Sequence, residues 1–133
     1  MNNTEQFFKK TVIGHPATLF VLFFTEMWER FSYYGMRAIL VIFLTGVILG
    51  DNPGWGWSSS SALSLLGTYA MFAYLAPLAG GWLGDKKIGY RKGVVIGAFL
   101  MTLGHASMAL EVFYDFYLYV GLSFLIIGNG FFK

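Results

Sequence analysis

Four apolar stretches, each close to the length that crosses a lipid bilayer as a helix, take up most of this chain. They run over residues 17–48, 62–83, 94–110 and 116–133, and about 20 helical residues are enough to span the hydrocarbon. Inside lipid a backbone segment must satisfy its own hydrogen bonds, so each stretch is expected as a helix. Composition agrees. The 133 residues are 56% hydrophobic and 20% aromatic, with 12% charged and a mean hydropathy of +0.61, whereas soluble domains carry about 25% charged residues. The expected class is an all-α membrane protein with no soluble domain.

The first stretch exceeds the hydrocarbon thickness, so it is expected to tilt or project beyond it. It is too long and too charged for a signal peptide, and no small-residue cleavage site follows it. Pro16 suits the first turn of a helix, and Pro77 falls inside the second stretch, where a kink is expected. The connections are short: "GDNPGWGWSSSS", "GDKKIGYRKG" and "EVFYDF". Lys9 and Lys10 precede the first stretch, and Lys86, Lys87, Arg91 and Lys92 sit in the second connection. The first and third connections carry only Asp51, Glu111 and Asp115. The positive-inside rule then places the N-terminus and second connection in the cytoplasm, with Trp55 and Trp57 at the outer interface.

Several chemistries find no support. The chain has no cysteine, and His15 and His105 have no ligand spacing, so no metal site is expected. No phosphate-binding loop appears. The basic residues form no extended patch for nucleic acid. No nucleophile–base pair is visible, so the chain is not expected to be an enzyme.

Three basic residues, Arg30, Arg37 and Lys133, fall inside the apolar stretches. On a helix, Glu26, Glu29, Arg30, Tyr33, Tyr34 and Arg37 cover an arc of roughly 140° and a height of about 17 Å. Phe23, Met27, Phe31, Ala38 and Val41 form the opposite, apolar side. Each charge costs roughly 2.5–3.5 kcal/mol at the centre of a membrane helix, so the stripe is expected to face a polar cavity. Glu26 and Arg30 are four apart, in the favourable order for an ion pair. Simple locking of helices by ion pairs is the competing reading. The second stretch adds Tyr69, Tyr74 and the pair Gly80 and Gly84, spaced for close helix contact. Asn129 and Lys133 share a face of the fourth, and His105 is expected to act as a helix-packing partner in the third.

Three of these segments resemble known motifs. "GTYAMFAYLAPLAGGWLGDKKIGYRKG" resembles the loop between helices two and three of the major facilitator superfamily. The loop motif includes Gly81, Asp85, Lys86, Gly89, Arg91 and Lys92, with the spacing from Asp85 to Gly89 one residue longer than the commonest form. "EMWERFSYYG" is more specific. It matches the ExxERFxYYG signature of the proton-dependent oligopeptide transporter family, and "GNGFFK" resembles that family's fourth-helix motif ending in lysine. The resemblance covers residues 14–133.

It implies a fold of twelve core helices in two six-helix bundles, with two extra in many bacterial members. This chain would supply the first four as an N-terminal fragment, with the remaining helices of the same chain as partners. It also implies proton-coupled import of di- and tripeptides across the cytoplasmic membrane by alternating access, with protons as the coupling ion and no other cofactor. By the motif, Glu26, Glu29, Arg30 and Lys133 would take part in proton coupling. Arg30, Arg37 and Lys133 would attract the peptide carboxylate, and Tyr33, Tyr34 and Tyr69 would line the pocket. Mammalian members carry a functional histidine near the start of helix two, where this chain has Ser61 or its neighbours. The alternatives are a related transporter of another small anionic solute and a four-helix membrane accessory or assembly subunit.

Overall fold

The structure, a computed structural model, describes residues 6, 9–49 and 54–132. The chain divides into two units, residues 1–62 and 63–133.

The first unit begins with a small antiparallel hairpin, β1 (Thr11–Val12) and β2 (His15–Pro16), with Thr11 opposite Pro16 and Val12 opposite His15. Its turn residues Ile13 and Gly14 both have positive φ, the backbone that suits a two-residue hairpin loop. Pro16 presets φ at −57° for entry into α1 (Ala17–Thr45), and the Ala17 N–H donates to the Lys10 carbonyl at 2.8 Å. At 29 residues this helix is about 43 Å long, well beyond the hydrocarbon of a bilayer.

The apolar pattern runs on to Ile48, yet the helix stops at Thr45 because Gly46 turns extended. The returning loop then serves the orphan carbonyls of the helix end. N–H groups of Trp55 and Trp57 donate to Phe43 and Leu44, and those of Gly54 and Gly56 donate to Val47 and Gly46, at 2.7–3.2 Å. Gly54 is required there, because a side chain would stand 2.8 Å from the Gly46 backbone. Trp55 packs on both Phe43 and Trp57, with ring centroids 6.0 and 5.4 Å apart.

The second helix, α2 (Ser59–Leu83), starts three residues before the apolar pattern does. The Ser58 hydroxyl oxygen accepts the Ser61 N–H at 3.2 Å, so the serine run is a capped first turn rather than loop. Beyond Leu83 the chain makes a π-helical turn over Gly84–Ile88. A π-turn holds one more residue than an α-turn, which accommodates the longer Asp85–Gly89 spacing. Gly89, at φ +80° and ψ +144°, ends it in a conformation open essentially to glycine alone.

Helix α3 (Tyr90–Ala109) therefore includes Arg91 and Lys92 in its first turn, four residues before the expected start at Val94. A 3-10 turn at Leu110–Val112 leads to α4 (Phe116–Phe132). Two glycine pairs bring α3 and α4 together. A Cβ at Gly97 would stand 2.6 Å from the Gly128 carbonyl oxygen, and one at Gly121 would stand 2.7 Å from that of Gly104. No side chain separates the backbones at these two levels. Leu118, Leu122 and Leu125 form the buried row of α4. Among the described residues, Ser59–Ile88 and Tyr90–Val112 are long and apolar enough to cross a membrane. The described part of α4 has 17 residues, and α1 is long enough but interrupted by charge.

Candidate functional site

The six polar residues of α1 lie on consecutive turns of an unbroken helix, so spacing alone sets their relative positions. Arg30 lies between two carboxylates. Its Nε donates to Glu26 Oε1 at 2.9 Å and stands 3.6 Å from Glu29 Oε2. Two turns on, the Arg37 guanidinium lies over the Tyr33 ring, 5.3 Å from its centroid. Tyr33 and Tyr34 meet edge to face at 5.4 Å.

The stripe is not uniform. Glu29 is 5% exposed and continues a buried row through Met36, Leu40 and Leu44. The Glu26 and Arg30 side chains are 51% and 40% exposed, and Tyr34 is also exposed. The ionisable row thus has one carboxylate in a covered setting and one in an open setting, with a shared guanidinium between them. Phe23, Met27 and Phe31, on the far side, are exposed apolar residues.

In the second unit, Tyr69 is buried and Tyr74 is 66% exposed. Gly81 lies in the last turn of α2. Asp85 and Lys86 lie in the π-turn, and Gly89, Arg91 and Lys92 follow at the entry to α3. Asp85 lies within electrostatic reach of the Tyr90 hydroxyl, and the Lys86 ammonium sits 4.9 Å over the Trp82 ring. Neither Tyr90 nor Trp82 was singled out by motif, although a tyrosine five residues after an aspartate across a glycine turn is a readable signal. His105 Nδ1 bonds the Met101 carbonyl of its own helix at 2.8 Å. Lys133, expected to complete the charged site, lies outside the described residues. Asn129, its companion by spacing, is buried, and its Nδ2 donates to the Ala73 carbonyl at 3.0 Å.

No protein-family model matches the chain. Curated relatives do. The chain is 41% identical over all 133 residues to a di-/tripeptide transporter of Lactococcus lactis subsp. cremoris, and spans 26% of that protein's length. It is also 41% identical over 125 residues to a peptide transporter of Yersinia enterocolitica, covering 24% of it. Among solved structures, a mutant of the peptide transporter POT superposes with a TM-score of 0.84 at 35% identity, over all of this chain and 28% of that one. A POT family transporter in complex with 5-aminolevulinic acid gives 0.86 at 37% identity, over 99% and 26%. Along its whole length the chain matches transporters of the POT family. It carries the family's helical fold and is an integral membrane protein. It spans about a quarter of the length of the POT relatives it matches.

Proposed function

We propose that this chain forms the opening helices of a proton-coupled symporter for di- and tripeptides in the cytoplasmic membrane, with its N-terminus in the cytoplasm. The observation that carries the reading is the Glu26–Arg30–Glu29 cluster, with Tyr33, Tyr34 and Arg37 on the following turns of one membrane helix. Intramembrane ions of both signs on one face are expensive to retain unless they serve a wet pathway. The resemblance to peptide transporters supplies the solute.

In the proposed cycle the guanidinium of Arg30 pairs with both Glu26 and Glu29. A peptide carboxylate competes for the same cation, together with Arg37 and, by its motif, Lys133. A carboxylate released from its cation in a poorly solvated setting takes up a proton. Peptide binding and protonation are then linked through competition for one guanidinium. The tyrosines would hydrogen-bond the peptide backbone, with Tyr69 contributing from α2. The remaining helices of a longer transporter would supply the other half of the site and the alternating motion. A 5-aminolevulinic acid complex in a POT relative favours a wider solute class, small molecules carrying a separated amine and carboxylate.

The test is uptake of labelled dialanine by the full-length transporter under an imposed pH gradient, with Glu29→Gln as the variant. Gradient-driven uptake should be lost in Glu29→Gln while peptide exchange at equal pH persists. Full gradient-driven uptake by this variant would remove Glu29 from proton coupling, and absence of peptide competition in the unaltered protein would remove the substrate assignment.

A further inference from the structure

Pro77 lies in the interior of α2, four residues beyond Ala73. An α-helix pairs each carbonyl with the N–H four residues later, and proline has no N–H, so Pro77 cannot serve the Ala73 carbonyl. That carbonyl is deep in the protein, with Ala73 itself 3% exposed, and a buried unpaired carbonyl is costly. The donor it receives comes from another helix: Asn129 Nδ2 of α4, at 3.0 Å and 56 residues away in sequence. Asn129 is 7% exposed. A Cβ at Gly130 would stand 2.8 Å from the Ala76 carbonyl oxygen, and one at Gly80 would run into the Gly130 backbone. The two helices therefore cross in near-backbone contact at the turn where Pro77 interrupts α2.

We infer that Asn129 is a positioning residue for transport, its side-chain amide standing in for the backbone donor that Pro77 removes and so fixing the bend of α2 to the position of α4. The transport part rests on the function proposed above. Helix α2 lacks one backbone hydrogen bond at the Ala73–Pro77 turn, so bending is easiest there. One side-chain bond, made only when α4 lies across that turn, selects a single bend. The bond is a discrete element with a made and an unmade state, as a conformational step of alternating access requires. Tyr69, one turn before Ala73, is carried on the segment whose direction this bend sets. Two features that the sequence shows separately, a proline in the second helix and an asparagine in the fourth-helix motif, thus become parts of one joint.

The test is a double-mutant cycle in the full-length transporter, using Asn129→Ala and Pro77→Ala. Alanine at 77 restores an N–H, so α2 can serve its own Ala73 carbonyl and no longer needs the asparagine. Asn129→Ala alone should lower the thermal midpoint in detergent by several degrees and reduce kcat for uptake more than it changes KM. In the Pro77→Ala background the same substitution should have little effect on either. Equal losses in both backgrounds, or no loss in either, would overturn the inference. If Asn129→Ala alone does not fold, recovery of folding in the double variant supports it, and failure of the double variant where Pro77→Ala folds refutes it. A second measurement needs no change at Pro77. Spin labels at Leu63 and Leu78, both exposed on α2, should show a shifted or broadened distance distribution in Asn129→Ala, and an unchanged distribution would count against the joint. Absence of dialanine uptake in the unaltered protein would sink the transport reading alone, because thermal midpoints and spin-label distances still decide the joint.

Discussion

Removing Glu29 and removing Glu26 should have unequal consequences, and distance ranks them the wrong way. Glu26 is nearer to Arg30, at 2.9 Å, but the two side chains are 51% and 40% exposed. Glu29 is farther, at 3.6 Å, with its side chain 4% exposed. An open pair four residues apart on a helix contributes about 0.3–0.5 kcal/mol. For the Glu29 pair, Coulomb attraction at 3.6 Å with an effective dielectric of ~20 is about 4.6 kcal/mol. Desolvation of the carboxylate offsets much of this, and the partial exposure of Arg30 screens more. A net coupling of about 1–3 kcal/mol, or 5- to 150-fold in an equilibrium, remains. The assay is a pair of double-mutant cycles, Glu26→Gln with Arg30→Gln and Glu29→Gln with Arg30→Gln, read by thermal unfolding of the purified full-length transporter and by uptake. The Glu29 cycle should show the larger coupling in both. A Glu26 coupling equal to or above the Glu29 coupling would refute the argument that burial, not separation, decides which carboxylate responds to loss of its cation.

Other consequences can be checked in the same protein. Gly97→Val forces the α3 backbone away from Gly128 and should destabilise by about 1–3 kcal/mol, seen as a lowered thermal midpoint; an unchanged midpoint would mean that the helices are not in backbone contact. Gly89→Ala places a side chain at φ +80° and should cost about 1–3 kcal/mol, again by thermal unfolding, with the α2–α3 turn as the site of increased proteolysis. Lys86→Gln removes a cation 4.9 Å from the Trp82 ring and should cost about 0.5–1 kcal/mol, whereas Lys86→Arg should retain it.

Much of the helical frame was legible in the sequence because lipid imposes a long apolar period that short-range patterning records. The boundaries were less so. The apolar pattern carries α1 to Ile48, but Gly46 breaks it and the Trp55 and Trp57 amides fold back onto its end. At α2, a serine cap turns polar residues into helix, and at α3 a π-turn and Gly89 bring Arg91 and Lys92 into the first turn. Hydropathy does not see such caps, because hydrogen bonds to helix ends are made by a few polar atoms.

The order of charges on α1 was written in the sequence, since residues three and four apart on one helix are neighbours whatever the rest of the fold does. The Glu26–Arg30–Glu29 cluster and the Arg37–Tyr33 contact are local in this sense. Which carboxylate is covered was not written there, because burial depends on what lies outside the helix. Nor could the sequence pair the Ala73 carbonyl with Asn129. Proline announces that a hydrogen bond is missing, but the partner that replaces it lies 56 residues on, and only the crossing of two helices through Gly80 and Gly130 brings it within reach.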